Sequence, residues 1–183
     1  YSLKADYSQL FLADNNVNNP EVLLSINYDG QRSQNWGGMT YLINASTGEE
    51  AKKTTGMKMG VGGWQGNRAT TALLALFGAD AAKDKRCLMK ESSTPNIIDV
   101  KNFNQGVYVY KFRNVTSTGA NGSNSDHADT DFPLFRLAEL YLNYAEAAVR
   151  GHGDKAKALQ YLNLLRERAY GNNSGNYTTI PTL

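Results

Sequence analysis

Residues 132–170 read FPLFRLAELYLNYAEAAVRGHGDKAKALQYLNLLRERAY, and no other stretch of the chain constrains its fold as tightly. From Pro133 to about Val149 the apolar residues have helical spacing. Leu137, Leu140, Tyr141, Tyr144 and Ala148 make one flank, and Ala138, Leu142, Ala145 and Val149 another. Gly151, His152 and Gly153 break the pattern, and Asp154 restarts it as a natural N-cap. The second segment carries Ala158, Leu162, Leu165 and Ala169 at steps of four, three and four. The reading is two helices joined by a tight turn, with Ala145, Ala147, Ala148, Ala156 and Ala158 small enough for close approach. That is the pattern of a tetratricopeptide-type helical hairpin. One such unit cannot bury its faces alone, so it is expected to stack against further helices.

A polar stripe runs down the first helix through Arg136, Glu139, Asn143, Glu146 and Arg150. The steps of three and four put all five on one line. Two readings compete. As a catalytic pair, Glu139 and Glu146 would stand about 10 Å apart along the axis, at or beyond the upper separation for a glycosidase acid and base. As a structural seam, Arg136 pairs with Glu139 and Glu146 with Arg150, and the charges neutralise one another. The structural reading is preferred.

Upstream, Leu3, Tyr7, Leu10 and Phe11 predict a short amphipathic helix ending near Asp14, and EVLLSINYDG predicts a strand stopped at Tyr-Asp-Gly. Residues 31–68 show no sustained period and read as a long ordered loop. ATTALLALF predicts a short helix that Gly78 is placed to stop, and VYVYKFRNV a strand with Tyr108, Tyr110 and Phe112 on one packed side. Residues 117–131 are poor in apolar side chains and rich in turn formers, so an exposed loop is expected. Asp126, Asp129 and Asp131 within it do not match the EF-hand spacing. His127 is read there as a solvated residue, and His152 likewise in the helix turn.

Lys plus Arg number 19 against 17 Asp plus Glu, with no long basic cluster, which argues against nucleic acid. Cys87 is the single cysteine, read as a small hydrophobe rather than a nucleophile. The longest apolar run, residues 72–77, is too short to span a bilayer.

The tail resembles the C-terminal signature of the SusD/RagB family in Arg136, Ala138 and Glu139, in Asn143 to Ala147, and in Leu162, Asn163, Arg166, Arg168 and Ala169. The likeness extends upstream to EVLLSINYDGQRSQNWGGMTYLI, with its glutamate-led strand and Trp-Gly-Gly loop, to GGWQGNRATTALLALF, and to Asp84–Lys85–Arg86. The resemblance implies a mainly α, SusD-like fold of tetratricopeptide-type hairpins, long ordered loops and a few short strands. Residues 1–131 would be a loop-rich glycan-binding portion and 132–183 the C-terminal hairpin, both belonging to one domain that lacks its N-terminal part. It further implies a surface-exposed outer-membrane lipoprotein, anchored through a part outside this chain, that captures glycans without enzymatic turnover. The glycans would pass to a SusC-type TonB-dependent transporter, and no cofactor or metal is implied.

A sugar ring has an apolar CH face and a rim of hydroxyls, so its site needs an aromatic platform flanked by hydrogen-bonding side chains. QRSQNWGG supplies Trp36 with Arg32, Gln34 and Asn35, and GGWQGNR supplies Trp64 with Gln65 and Asn67. The glycines after Trp36 are read as leaving the backbone open to a ligand. Tyr28 could extend the platform, whereas Tyr41 is expected to face the core. The Trp-Gly-Gly loop is closest to family members that bind starch-type α-glucans. Two rivals stand beside this reading, a glycoside hydrolase and a helical-repeat scaffold that binds protein alone.

Overall fold

The computed structural model of the chain describes residues 1–182. Helix accounts for 34% of the chain and strand for 12%, which makes it mainly α. Its strands are β1 (Val22–Ile26), β2 (Met89–Glu91), β3 (Val107–Val109) and β4 (Phe132–Arg136). Its helices are α1 (Gly38–Ser46), α2 (Glu49–Thr55), α3 (Thr71–Ala75), α4 (Leu137–Val149) and α5 (Lys155–Tyr170).

The tail hairpin is α4 and α5. The Asp154 carboxylate accepts the Ala156 and Lys157 N–H groups at 2.7 and 3.3 Å, satisfying free donors of the first turn. At the other end of α5, Gly171 takes the left-handed conformation (φ 76°) that terminates it. Ala145, Ala148 and Ala158 are buried where the helices meet, with Tyr144 and Leu162 packed around them. Tyr141 stacks flat on Tyr161 at 4.3 Å between centroids.

The helix begins later than its apolar pattern suggests. Phe132–Arg136 forms strand β4 and pairs antiparallel with β1. Short apolar runs do not distinguish helix from strand, and here the partner decides. Pro133 is tolerated because the sheet has only two strands, so no inner ladder needs its missing N–H.

This strand also takes Arg136 out of the polar stripe. Arg136 Nη1 donates to Glu21 Oε1 at 2.8 Å, and Arg168 of α5 donates to the other oxygen of the same carboxylate. The Lys4 N–H adds a bond of 2.8 Å to that second oxygen. Glu21 is fully buried. Breaking such a cluster from one side leaves an uncompensated buried charge, at a cost of about 3–5 kcal/mol. The expected Arg136–Glu139 pair is therefore replaced by a long-range one, while Glu146–Arg150 forms at 2.8 Å on the surface. The Asp84–Arg86 turn docks on the same helix, with the Lys85 N–H donating to Ala169 O at 2.9 Å.

Residues 31–68 are not one loop, because α1 and α2 lie within them. Helix α1 buries Met39, Thr40, Ile43, Asn44 and Ala45, so two of its five buried residues are polar. Those two polar members conceal its period. Met39 and Ile43 join Met59, Val61 and Ala128 in one core. At the start of the chain a 3₁₀ turn, Tyr7–Phe11, replaces the expected longer helix and buries Tyr7, Leu10 and Phe11. Strand β3 pairs with β2, and α3 ends at Ala75 before a 3₁₀ turn at Gly78–Asp80.

Residues 117–127 are mostly exposed, as expected, but the end of the segment departs from that, since Ala128, Thr130 and Asp131 are buried. The Asp129 carboxylate accepts from Gly30 N and Ser123 Oγ at 2.7 Å each. Asn114 donates to Asn124 O at 3.0 Å and accepts the Asp129 N–H at 2.9 Å. Turn-forming side chains satisfy the backbone at this end internally, so a low apolar content does not prevent its burial.

Candidate functional site

Helix α1 positions the aromatic candidates. Trp36 stands one residue before its N-cap, Gly37, and Tyr41 lies on its outer face. The segment carrying Trp64 runs along the helix's C-terminal end. Trp64 N donates to Asn44 O at 3.0 Å, Asn67 N to Ala45 O at 2.9 Å and Gln65 N to Thr47 O at 2.9 Å. Carbonyls that a helix end leaves without intrahelical partners thus hold the second loop.

The result is an open shelf of rings. Trp36 is 60% exposed and Trp64 43% exposed, and their centroids are 5.8 Å apart with planes tilted by 47°. Tyr41 extends the row, 6.5 Å from Trp64 and 46% exposed, and its hydroxyl donates to Asn67 Oδ1 at 3.3 Å. The expectation that Tyr41 faces the core is overturned. Met39 and Ile43 take the inward positions of α1, and Tyr41 falls on the opposite side.

His127 completes the shelf and was not recognisable in the sequence. Its ring lies 4.5 Å from that of Trp36, and its Nδ1 is 3.3 Å from Asn35 O. The segment carrying it is strapped to α1. Asn44 Nδ2 donates to Asp126 O at 2.8 Å, and the Ala128 N–H donates to Thr40 Oγ1 at 3.2 Å. The buried polar residues that hide the period of α1 are those that bring His127 into place.

The remaining candidates divide by location. Asn35 accepts the Gly37 N–H at 3.0 Å and donates to Ser33 O at 3.1 Å, so its amide shapes the turn. Gln34 donates to Gly30 O at 3.0 Å. Gln65 has a positive φ of 65°, uncommon without glycine, and its side chain lies against Gly48. Tyr28 packs on the α1 core, and its hydroxyl occupies the space a side chain at Gly38 would need. Gly38, with φ 53°, therefore serves internal packing and not the approach of a ligand. Arg32 and Tyr28 line a neighbouring polar cleft of about 630 Å³. Of the sequence candidates, Trp36, Trp64 and Asn67 come together on the shelf.

Asp29, the acid of the first loop, is engaged. Asp29 accepts the Gln31 and Arg32 N–H groups at 2.9 Å each, and those bonds hold its carboxyl below the usual range. Cys87, remote in sequence from both Trp loops, is half-buried, and burial pushes its thiol up, away from nucleophilic reactivity. Among the described residues no cluster of three or more metal-ligating side chains occurs.

Fold and site together define a mainly helical scaffold that carries a solvent-open aromatic shelf on loops. Residues 78–181 match the SusD family model, and the chain belongs to that family. It is 32% identical to the starch-binding protein SusD of Bacteroides thetaiotaomicron over an alignment of 222 positions, gaps included. That alignment takes in 92% of this chain and 38% of the relative, so the chain spans well under half of that protein's length. Two solved structures share the fold. One is a laminarin-binding SusD-like protein (TM-score 0.61, 21% identity, covering 97% of this chain and 41% of the other). The second is a SusD superfamily protein from Parabacteroides distasonis (TM-score 0.54, 19% identity, covering 98% and 37%).

Proposed function

We propose that this chain binds glycan at the Trp36–Trp64 shelf as part of a cell-surface capture protein, without chemical turnover. The observation that carries this reading is the exposure of two neighbouring indoles, 60% and 43%, with Tyr41 and Asn67 at their edge. Contiguous exposed aromatic surface forgoes burial that would otherwise stabilise the fold, and such patches mark interaction sites. Rings tilted by 47° suit a curved chain of sugar rings better than a flat ligand. The name of the curated relative, a starch-binding protein, supports a starch-like α-glucan as the ligand class.

The same proposal includes delivery to a SusC-type TonB-dependent transporter and attachment to the outer membrane through a lipid anchor outside this chain. No helix among the described residues is long and apolar enough to cross a membrane. Residues 1–131 would provide the glycan surface and 132–183 the hairpin of the repeat scaffold. Leu24, Ile26, Leu134, Phe135, Leu140 and Leu142 on β1, β4 and α4 are each between 41% and 51% exposed. Such residues are where the hairpin would stack on further helices.

Native gels cast with soluble starch or laminarin test the binding reading. Retardation is expected with at least one polysaccharide, and Trp36→Ala should weaken the apparent affinity about tenfold, as for a central aromatic anchor. Release of reducing sugar from either polysaccharide would instead support a hydrolase. Equal migration with and without both polysaccharides would favour a scaffold that binds protein alone.

A further inference from the structure

The loop that carries Trp36 has a second flank. There Asn16, Ser25, Asn27, Tyr28, Arg32 and Asp131 help to line the cleft of about 630 Å³, with Leu23 and Pro133 supplying apolar wall. Asp131 is the unusual member. It is only 5% exposed, and its Oδ1 accepts the Tyr28 N–H at 2.8 Å. The Ser25 hydroxyl beside it is turned to Asn27 Oδ1, at 2.7 Å. Among the described residues no cation pairs with Asp131, and besides the Tyr28 N–H only the Ser25 hydroxyl, shared with Asn27, approaches its carboxylate, so acceptor capacity remains for the cleft. Burial raises its carboxyl above the usual range, although the Tyr28 N–H and the Ser25 hydroxyl pull the other way. A buried carboxyl with unspent acceptor capacity, lining a cleft, is placed for recognition rather than for packing.

We propose that this cleft is a second saccharide site, in which Asp131, the Asn16 and Asn27 amides and the Arg32 guanidinium bind the hydroxyls of a neutral glycan segment. Asn16 and Asn27 are exposed, and the Arg32 guanidinium is held only loosely, 3.9 Å from Asp29. The Asn16 amide can donate and accept, the Asn27 amide, its oxygen already bonded to Ser25, still donates, a carboxylate accepts hydroxyl hydrogen bonds, and a guanidinium donates, which together match the rim of a sugar ring. Leu23 and Pro133 offer surface to its CH face. Asp29 and Asp131 both line the cleft, so an acidic ligand would meet two negative charges. The ligand class rests on the glycan reading of the shelf; the place and the donor set do not.

Amide NMR of the ¹⁵N-labelled chain, titrated separately with maltoheptaose and laminarihexaose, tests this. At least one sugar should shift the Asn16 and Asn27 side-chain amides saturably, and should still do so in a Trp36→Ala/Trp64→Ala variant. Asp131→Asn keeps an acceptor for the Tyr28 N–H and should weaken binding at the cleft about fivefold, read from the same amides. An Asn16→Ala/Asn27→Ala variant, altered only at exposed positions, should weaken it similarly, read from the Tyr28 and Ser33 backbone amides. Indole shifts with unmoved Asn16 and Asn27 would overturn the second site and leave the shelf standing. Amide shifts at the cleft with unmoved indoles would uphold the second site and remove the shelf. Loss of the cleft shifts in the double-Trp variant, or no shift with either sugar, would overturn the second site.

Discussion

Two clusters of aromatic rings in this molecule are built from similar parts and placed in opposite surroundings. Around Phe11, the rings of Tyr7 and Phe112 pack edge-on at 5.0 and 5.1 Å and are covered by cations. Lys111 Nζ lies 4.4 Å from the Phe11 centroid, with the guanidinium of Arg136 at 5.6 Å from it and that of Arg168 at 5.4 Å from Tyr7. The same two arginines hold the buried Glu21. Around α1, Trp36, Trp64 and Tyr41 line up exposed to solvent, with the Asn67 amide at their edge. The closed cluster fastens the start of the chain to the tail hairpin, whereas the open one leaves its surface to solvent, where the proposed glycan would stack. On the proposed function, exposure and the neighbours of the ring, more than ring type, would separate stabilising aromatics from recognising ones.

That contrast breaks if changes in one cluster produce the effects assigned to the other. The largest effect belongs to Glu21→Ala. It strands Arg136 and Arg168 and should cost about 3–5 kcal/mol in urea unfolding, while the fraction still folded binds polysaccharide as before. Phe11→Ala should cost a similar amount, about 3–5 kcal/mol, through the cavity it leaves. Trp36→Ala should show the reverse pattern, with stability unchanged within about 0.5 kcal/mol because the ring is exposed and glycan binding weakened about tenfold. A Trp36 variant that unfolds early and binds normally would erase the distinction.

The smallest effect concerns Lys111, whose ammonium is held below its usual pKa, first by burial and then by the charge of Arg136. At neutral pH the folded state carries this charge at a cost, so Lys111→Met should raise Tm at pH 7 by about 2 °C. Between the depressed folded value and the ordinary lysine value, the unfolded chain binds the extra proton, so wild-type stability rises with pH across that window. The advantage of the Met variant should therefore shrink as pH climbs toward the ordinary lysine pKa. Thermal melts of both proteins across that range check the sign.

The hairpin and the two indoles were legible in the sequence because their signals are local. Asp154 caps its own helix, Ala158 and Leu165 keep step along it, and Trp36 and Trp64 sit in short polar, glycine-rich runs. Features set by distant partners were not legible. FPLFR becomes a strand because Val22–Ile26 is available to pair with it, and Arg136 leaves its stripe for a glutamate 115 residues away. Helix α1 has no legible period because Thr40 and Asn44 occupy buried positions that the pattern assigns to apolar residues. His127 is hidden with it, since Thr40 and Asn44 hold the strap that carries its ring to Trp36.

The chain contains two tryptophans, and both lie on the shelf. Indole fluorescence, excited beyond the tyrosine band, therefore reports this surface alone. Titration of the intact chain with maltoheptaose and, separately, with laminarihexaose should give a saturable change in intensity or emission maximum with at least one sugar. Trp36→Ala should displace that titration to about tenfold higher concentration. An emission spectrum that neither sugar alters at saturating concentration, from a protein whose gel migration either polysaccharide still retards, would place the binding surface elsewhere and contradict the account.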